Sequence, residues 1–312
     1  MEERFQQPPD WQWGEMTERG GMKLRTGSLV RHEKPVANLV IGPGMREFTQ
    51  SYFETISDFS NRGYNVYFIN WMGQGGSESI LPGRFHRIAK IFGFDRDAKN
   101  LLEFAETKVP DNAPKVYLGH STGGLIGLLA IVRSPKTFAA TVLLAPFLGY
   151  FNKNARFLEA TLKYLPFTRH ALEHYIPGGQ NWMKRGAPSS TMQPGDYSAD
   201  RVRMLLRDEW AEANPDLQVG DLTLGGFHEA CRAIASLHKK GVPEKITTPL
   251  MMVSAGKELI VSTAAIFNMA SRIPDAIHTH IPEARHETCM ETDQIRNTVI
   301  NNADGFFRSR LG

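Results

Sequence analysis

Short, nearly continuous apolar runs recur along the chain at Ala37-Asn-Leu-Val-Ile41, Asn65-Val-Tyr-Phe-Ile69, Lys115-Val-Tyr-Leu-Gly119, Ala140-Thr-Val-Leu-Leu-Ala145 and Pro249-Leu-Met-Met-Val-Ser254, and a further strand is expected over 276–281. Runs that do not alternate with polar residues are expected of strands covered on both faces. Between them lie stretches with apolar residues at helical spacing: 47–61, which carries Phe48, Tyr52, Ile56 and Phe59, then 94–107, the run after Gly123, 262–273 and 292–308. Strands alternating with helices predict βαβ units and a mostly parallel sheet. Residues 11–34 mix Trp11, Trp13, Met16, Met22 and Leu24 with polar positions, which predicts an opening antiparallel hairpin or two.

The rhythm stops after residue 145. Residues 146–246 contain helical stretches at 154–165, 200–213 and 227–239 and a polar Gly/Pro/Ser segment at 178–195, but no convincing central strand. An insertion between sheet strands is expected to form a cap over the carboxyl ends of the strands, where open α/β sheets bind ligands. The predicted organisation is therefore an α/β core in two parts, 1–145 and 247–312, interrupted by a helical cap over 146–246.

A chain of 312 residues with 41% hydrophobic content is long enough for one such domain with an insertion. The net charge of +3 leaves no electrostatic footprint for nucleic acid. Cys231 and Cys289 are far apart and outside any metal-ligand spacing, which points to a reducing compartment. The first ten residues carry acids and prolines where a signal peptide needs a basic and then an apolar segment, and no apolar run approaches the roughly 20 residues of a membrane-spanning helix. These features together predict a soluble, cytoplasmic protein.

The candidate chemistry centres on Gly119-His120-Ser121-Thr122-Gly123, placed between a strand and an apolar helix. That order suits a nucleophile elbow, in which a strained turn holds a serine clear of the sheet and small residues let the turn close. One oxyanion donor is then the amide of Thr122. The other is expected from the loop Gly42-Pro43-Gly44-Met45-Arg46-Glu47, at the Met45 amide. The glycines of this loop, and those of Gly73-Gln74-Gly75, lack the third glycine of a dinucleotide-binding loop, since Glu47 and Glu78 stand at those places. A serine needs a base to take its proton, and in this architecture the base follows the last strand. His286, in the loop Pro282-Glu-Ala-Arg-His-Glu287, is that candidate, while His278 and His280 belong to the preceding strand and are expected to point into its packing. The acid must come between them in chain order, and Glu258 is the carboxylate in the loop 255–261, with Asp275 and Glu283 as fallbacks. His120 lies beside the serine but on the wrong side of the turn to be the base.

These residues resemble the α/β-hydrolase branch that contains monoacylglycerol lipases and bacterial lysophospholipases, in particular the lysophospholipase type associated with the inner membrane. The resemblance runs from about residue 36 to the end and includes Pro43-Gly44-Met45-Arg46-Glu47, Gly73-Gln-Gly75-Gly76-Ser77, and the stretch Asn214-Pro-Asp-Leu-Gln-Val-Gly-Asp-Leu-Thr. It implies an α/β-hydrolase fold with Ser121 as nucleophile, His286 as base, Glu258 as acid and Met45 and Thr122 as oxyanion donors. The departures are Asn70 and Met72, where relatives usually carry an aspartate and an arginine, and Pro43, where relatives often have histidine. Gly44, His120, Phe147 and Phe151 are the positions expected to line the substrate pocket, and the apolar cap residues Phe157, Leu158, Leu162, Tyr164, Leu165 and Phe167 to receive an acyl chain. Lys153, Arg156, Lys163 and Arg169 are candidates to meet a phosphate or an anionic surface, so that the cap touches a membrane peripherally. No metal or organic cofactor is implied. The expected activity is serine-dependent hydrolysis of carboxylic esters of the lysophospholipid or monoacylglycerol type. An amidase or aminopeptidase, a lactonase and a slow-turnover small-molecule receptor are the alternatives.

Overall fold

In a computed structural model that describes residues 1–79, 93–151, 174–177, 179–182 and 194–311, eight strands form one sheet in the order β1-β2-β4-β3-β5-β6-β7-β8. The opening hairpin is β1 (Gln12–Thr17) and β2 (Lys23–Leu29), antiparallel to each other and to the next strand in the sheet. From there β4 (Asn65–Ile69), β3 (Asn38–Gly42), β5 (Lys115–His120), β6 (Ala140–Leu144), β7 (Leu250–Ala255) and β8 (Ile277–Ile281) all run parallel. The mostly parallel sheet is the one expected from the rhythm of apolar runs, and its strand order agrees with the α/β-hydrolase fold that the family resemblance implies.

The central strands divide their side chains between two cores. On one face, Leu39, Ile41, Val116, Leu118, Val142, Leu144 and Val253 meet α1 (Phe53–Asn61) and the carboxyl-terminal helix (Asp293–Leu311). On the other, Val40, Tyr117, Leu143 and Met252 meet α2 (Phe94–Thr107) and α3 (Thr122–Arg133). Burial on both faces explains why these strands read as unbroken apolar runs.

Two local readings change. The helix expected over 47–61 starts later, with a 3-10 turn at Thr49–Tyr52 ahead of α1, because the Glu47 carboxylate is turned inward to bind the Gly44 N–H instead of entering a helix. After α4 (Arg201–Ala213), α5 (Leu224–Leu237) begins at Thr223, whose hydroxyl caps it, and packs Ala230, Ile234 and Leu237 into the core shared with α2 and α3. This end of the 146–246 insertion therefore lies in the helix layer and not above the strands. His278 and His280 sit on the edge strand β8 with both rings 2.9 Å from the buried Ser254 Oγ of β7; His278 also packs edge-on against Phe267, and His280 is exposed. α6 (Thr263–Arg272) follows an N-cap at Ser262. The acyl-channel residues Phe157, Leu158, Leu162, Tyr164, Leu165 and Phe167 and the basic residues Lys153, Arg156, Lys163 and Arg169 lie outside the described residues.

Of the insertion, α4 is fixed to the core. Its Arg203, buried, donates to Glu54 of α1, to its own N-cap Asp200, to the Glu291 carbonyl and to Asp293 at the start of the last helix, here numbered α7. No described helix is long and apolar enough to cross a membrane.

The turn from β5 into α3 depends on close backbone approach. A Cβ on Gly123 would stand 2.1 Å from the Gly42 carbonyl oxygen, and one on Gly119 would stand 2.7 Å from the Gly123 carbonyl oxygen. Backbone atoms on both sides leave nothing that can give way, so Gly123→Ala is expected to destabilise the fold by about 1–3 kcal/mol. Thermal unfolding checks this, and an unchanged midpoint would contradict the packing described.

Candidate active site

Ser121 is the single residue between β5 and α3 and holds φ 50° and ψ −112°, a region that L-residues avoid. Such a conformation carries strain of about 1–3 kcal/mol and persists only where its surroundings enforce it. They do so here: the Ser121 N–H donates to the Leu144 carbonyl at 2.9 Å, and its carbonyl accepts from the Phe147 N–H at 2.9 Å and the Leu125 N–H at 3.1 Å. The hydroxyl is lifted off the sheet edge as a result.

His286 is brought to it from the loop after β8. Its Nε2 lies 3.0 Å from Ser121 Oγ and its Nδ1 lies 2.8 Å from Glu258 Oε2. All three residues are buried, at 8%, 4% and 4% exposure for Ser121, His286 and Glu258. The loops carrying acid and base are held in register, because the N–H groups of Gly256 and Lys257 donate to the carbonyls of Ile281 and Ala284 at 2.9 Å each. Burial pushes the Glu258 carboxyl up, but the facing His286 and the N–H groups of Ile260 and Val261, at 2.8 and 3.2 Å from Oε1, outweigh it and hold the group below its ordinary value. An ionised Glu258 is acceptor-only, so Nδ1 of His286 must carry the ring proton. Nε2 is then free to accept from the serine hydroxyl. Lys257 and Glu283 pair with each other at the surface, and Asp275 lies in an exposed turn, so neither fallback acid approaches His286.

A second carboxylate–imidazole pair lies beside the first. His120 is buried, with Nδ1 2.9 Å from Glu47 Oε1 and Nε2 donating to the His286 carbonyl at 3.0 Å. Both ring nitrogens face acceptors, so His120 is an imidazolium. Burial works against that charge, but Glu47, Glu287 and the His286 carbonyl prevail and lift His120 to about 9. Burial likewise opposes ionisation of Glu47, and His120, the Tyr52 hydroxyl and the Gly44 N–H overcome it and hold its carboxyl well below the usual range. His120 thus braces the backbone of the base and does not line the substrate cavity.

The oxyanion loop Gly42–Glu47 is fixed on both sides of Gly44, since the Gly44 N–H goes to Glu47 and the Gly44 carbonyl accepts from Gln74 Nε2 at 2.9 Å. Among the described residues no acceptor takes the N–H of Met45 or of Thr122. Two such donors beside a serine and an imidazole are the equipment for an oxyanion.

The cavity above Ser121 has a volume of about 390 Å³. Met45, Arg46 and His286 line it from the core, and Ile176, Arg207 and Leu222 line it from the inserted segment. Arg46 is ion-paired to Asp221, whose other oxygen accepts from the Gln180 N–H at 3.0 Å. Of the residues expected to line the pocket, Gly44 lies behind Met45 with both its backbone groups engaged, Phe147 is buried against Tyr150, and Phe151 stands exposed at 49%. Its N–H donates to the carbonyl of Ile260, a cavity residue, but its side chain is not among those that line the cavity. Glu47, Gln74 and the bracing role of His120 are not apparent from motif reading, because Gln74 and His120 bond to backbone far along the chain and Glu47 pairs with the distant imidazole of His120. The one available signal is a carboxylate at the end of a glycine loop that has no basic neighbour on its apolar side. Among the described residues no group of three or more His, Cys, Asp or Glu side chains is arranged to hold a metal ion.

A family model described as serine aminopeptidase, S33, matches residues 33–293. The chain is 26% identical over 286 residues to a probable lysophospholipase L2 of Haemophilus influenzae, covering 91% of this chain and 88% of that one. It is 23% identical to a monoacylglycerol lipase of Mycolicibacterium smegmatis over 94% and 95% of the two chains. Among solved structures it resembles a soluble variant of the Saccharomyces cerevisiae monoglyceride lipase, crystallised with a substrate analogue, with a TM-score of 0.72 at 16% identity over 97% and 98% of the chains. A Bacillus coagulans carboxyl esterase in complex with glycerol gives a TM-score of 0.74 at 16% identity over 98% and 100%.

The buried pair makes stability depend on pH in a defined direction. His120 has its ordinary value near 6.5 when unfolded and about 9 when folded, so its contribution is complete below 6.5 and is lost as pH rises to 9. The thermal midpoint is expected to fall through that window. In a double variant, Glu47→Gln with His120→Gln, the fall should be much shallower, and an identical profile in both proteins would show that His120 is not charged in the folded state.

Proposed function

The chain belongs to the hydrolase family described as serine aminopeptidase, S33, and on that premise we propose that it hydrolyses acyl esters of glycerol-based lipids through an acyl-enzyme on Ser121. The observation that carries the reading is the unbroken relay from Glu258 through His286 to Ser121, with separations of 2.8 and 3.0 Å. Ser121 Oγ attacks the ester carbonyl as His286 Nε2 takes its proton, and the Glu258 carboxylate offsets the charge that the imidazole gains. The negative charge on the carbonyl oxygen is met by the N–H groups of Met45 and Thr122. Collapse of the tetrahedral intermediate breaks the ester bond, and His286 returns the proton to the departing alcohol. A water molecule, deprotonated by the same imidazole, then releases the fatty acid and restores Ser121.

The relatives named lysophospholipase and monoacylglycerol lipase support a single acyl chain on a glycerol unit as the substrate class. Within that class, the relatives named lysophospholipase L2 favour a lysophospholipid over an uncharged monoacylglycerol, and Arg46, paired with Asp221, and Arg207 stand on the cavity wall. Leu259, on the cavity wall and 46% exposed, supports approach to the surface of an aggregated lipid.

Ser121→Ala is expected to reduce ester turnover by about 10⁴ or more, and Glu258→Gln by about 10⁴, each with unchanged circular dichroism. Retained turnover in the serine variant would refute the assignment. Release of fatty acid from lysophosphatidylethanolamine and from monoacylglycerol of the same chain length, measured side by side, settles the head group. A kcat/KM at least about tenfold higher for the lysophospholipid is the expected outcome, and a preference for the neutral lipid would reverse this part of the reading.

A further inference from the structure

The glycine-rich turn Gly73-Gln74-Gly75-Gly76-Ser77 follows β4 and contributes nothing to the relay of Ser121, His286 and Glu258, yet it is built with unusual care. Gly73, Gly75 and Gly76 have φ of 76°, 63° and 84°, the region that side chains resist. A Cβ at Gly75 would stand 2.1 Å from Asn70 Oδ1. Asn70 in turn accepts from the Thr49 N–H at 3.1 Å and donates to the Arg25 carbonyl at 3.1 Å and to Thr49 Oγ1 at 2.8 Å. Ser77 Oγ donates to the Asn70 carbonyl at 2.9 Å, and the Gln74 N–H donates to the Trp71 carbonyl at 3.1 Å. Neutral amide bonding from Asn70 thus holds the turn.

The turn presents one side chain inward. Gln74 is 4% exposed and uses its whole amide on the oxyanion loop: Nε2 donates to the Gly44 carbonyl at 2.9 Å and to the Glu47 carbonyl at 3.0 Å, and Oε1 accepts from the Arg46 N–H at 3.3 Å. Only this orientation of the amide satisfies two carbonyls and one N–H. The Gly44 carbonyl and the Met45 N–H belong to the same peptide, which is planar and trans, so they point in opposite directions. With the carbonyl drawn toward Gln74, the Met45 N–H is turned to the cavity side, where Met45 shares the wall with Ser121 and His286. A flipped peptide would lose the bond to Gln74 and aim the Met45 N–H at the Gln74 NH₂, two donors face to face. The loop is otherwise poorly disposed to hold this shape by itself, since Arg46 takes φ 64° without being glycine.

We propose that Gln74 is a positioning residue that sets the Gly44–Met45 peptide with its N–H toward the substrate carbonyl, so that half of the oxyanion site is preorganised by a side chain from the turn after β4. The inference rests on the hydrolase reading above. Gln74 touches no reacting atom and acts through the backbone of residues 44–47.

The test uses Gln74→Met, close in length but without donors, and Gln74→His, which keeps one ring N–H for the Gly44 carbonyl. Activity is measured on a short-chain p-nitrophenyl ester, together with the affinities for a trifluoromethyl ketone, which forms an oxyanion on the serine, and for an alkyl ether analogue, which cannot. Loss of one oxyanion donor lowers the rate by about 10²–10³, so Gln74→Met is expected to lose that factor in kcat/KM and a parallel factor in ketone affinity. Affinity for the ether should stay within about threefold of the parent, because ground-state binding does not use the donor. Gln74→His should recover about tenfold or more of the lost rate. If Gln74→Met is folded and retains activity within about threefold, or loses ether and ketone affinity equally, Gln74 has no special hold on the peptide and the inference falls. Should Gln74→Met fail to fold, the histidine variant decides alone: ketone affinity reduced more than ether affinity supports the proposal, and equal reductions overturn it. Absence of turnover in the parent protein, or turnover that survives Ser121→Ala, would remove the hydrolase reading itself and is told apart from either result.

Discussion

The hydrogen bond from the His120 imidazolium to the His286 carbonyl joins two parts of the chain that are 166 positions apart. On its other side the same ring holds Glu47, and Glu47 holds the Gly44 N–H. The backbone of His286 and the loop Gly42–Glu47 therefore share one buried cation. Removing a positive charge from water is costly, and it is tolerated here because a carboxylate and a carbonyl surround it. The arrangement works as a brace. It fixes where the His286 backbone lies, and the ring then needs only the Glu258 contact to choose its tautomer.

The sheet explains why such a brace is required. Parallel strands deliver their carboxyl ends to one edge, and Ser121, Glu258, His286 and the loop 42–47 all leave the sheet along it. Topology brings these loops near one another, but loops set side by side do not by themselves hold donors and acceptors to the few tenths of an ångström that proton transfer asks for. The missing restraint comes from side chains that bond to backbone: Gln74 to residues 44, 46 and 47, Glu47 to 44, His120 to 286, and the carboxylate of Glu258 to the N–H groups of 260 and 261. All of them are buried, where each bond is screened little by solvent.

Much of this was legible in the sequence. The apolar runs located the parallel strands β3 to β7, which are covered on both faces, while the edge strand β8, with its two histidines, followed from the alternation of strands and helices, and the order of serine, acid and base followed from where each loop leaves the sheet. Ser121, Glu258 and His286 could be picked out because they sit at ends of elements. Glu47, Gln74 and the true partners of His120 could not, because the pairings of Gln74 with the loop 44–47 and of His120 with Glu47 and His286 span 27 to 166 positions, and no local pattern encodes them. The same cause misplaced the start of α1, where a helical apolar spacing hid a carboxylate committed to tertiary bonds. α5 carries apolar residues at helical spacing, but periodicity does not say which layer a helix joins.

The most direct measurement on the whole account is mass spectrometry of the protein after brief reaction with a fluorophosphonate, followed by peptide mapping. The structure requires one adduct, on the peptide that contains Ser121, formed quickly in the parent protein and at least about 10³ more slowly when His286 is replaced by alanine. An adduct on any other residue, or labelling of Ser121 at the same rate without the imidazole, would contradict the relay on which the account stands.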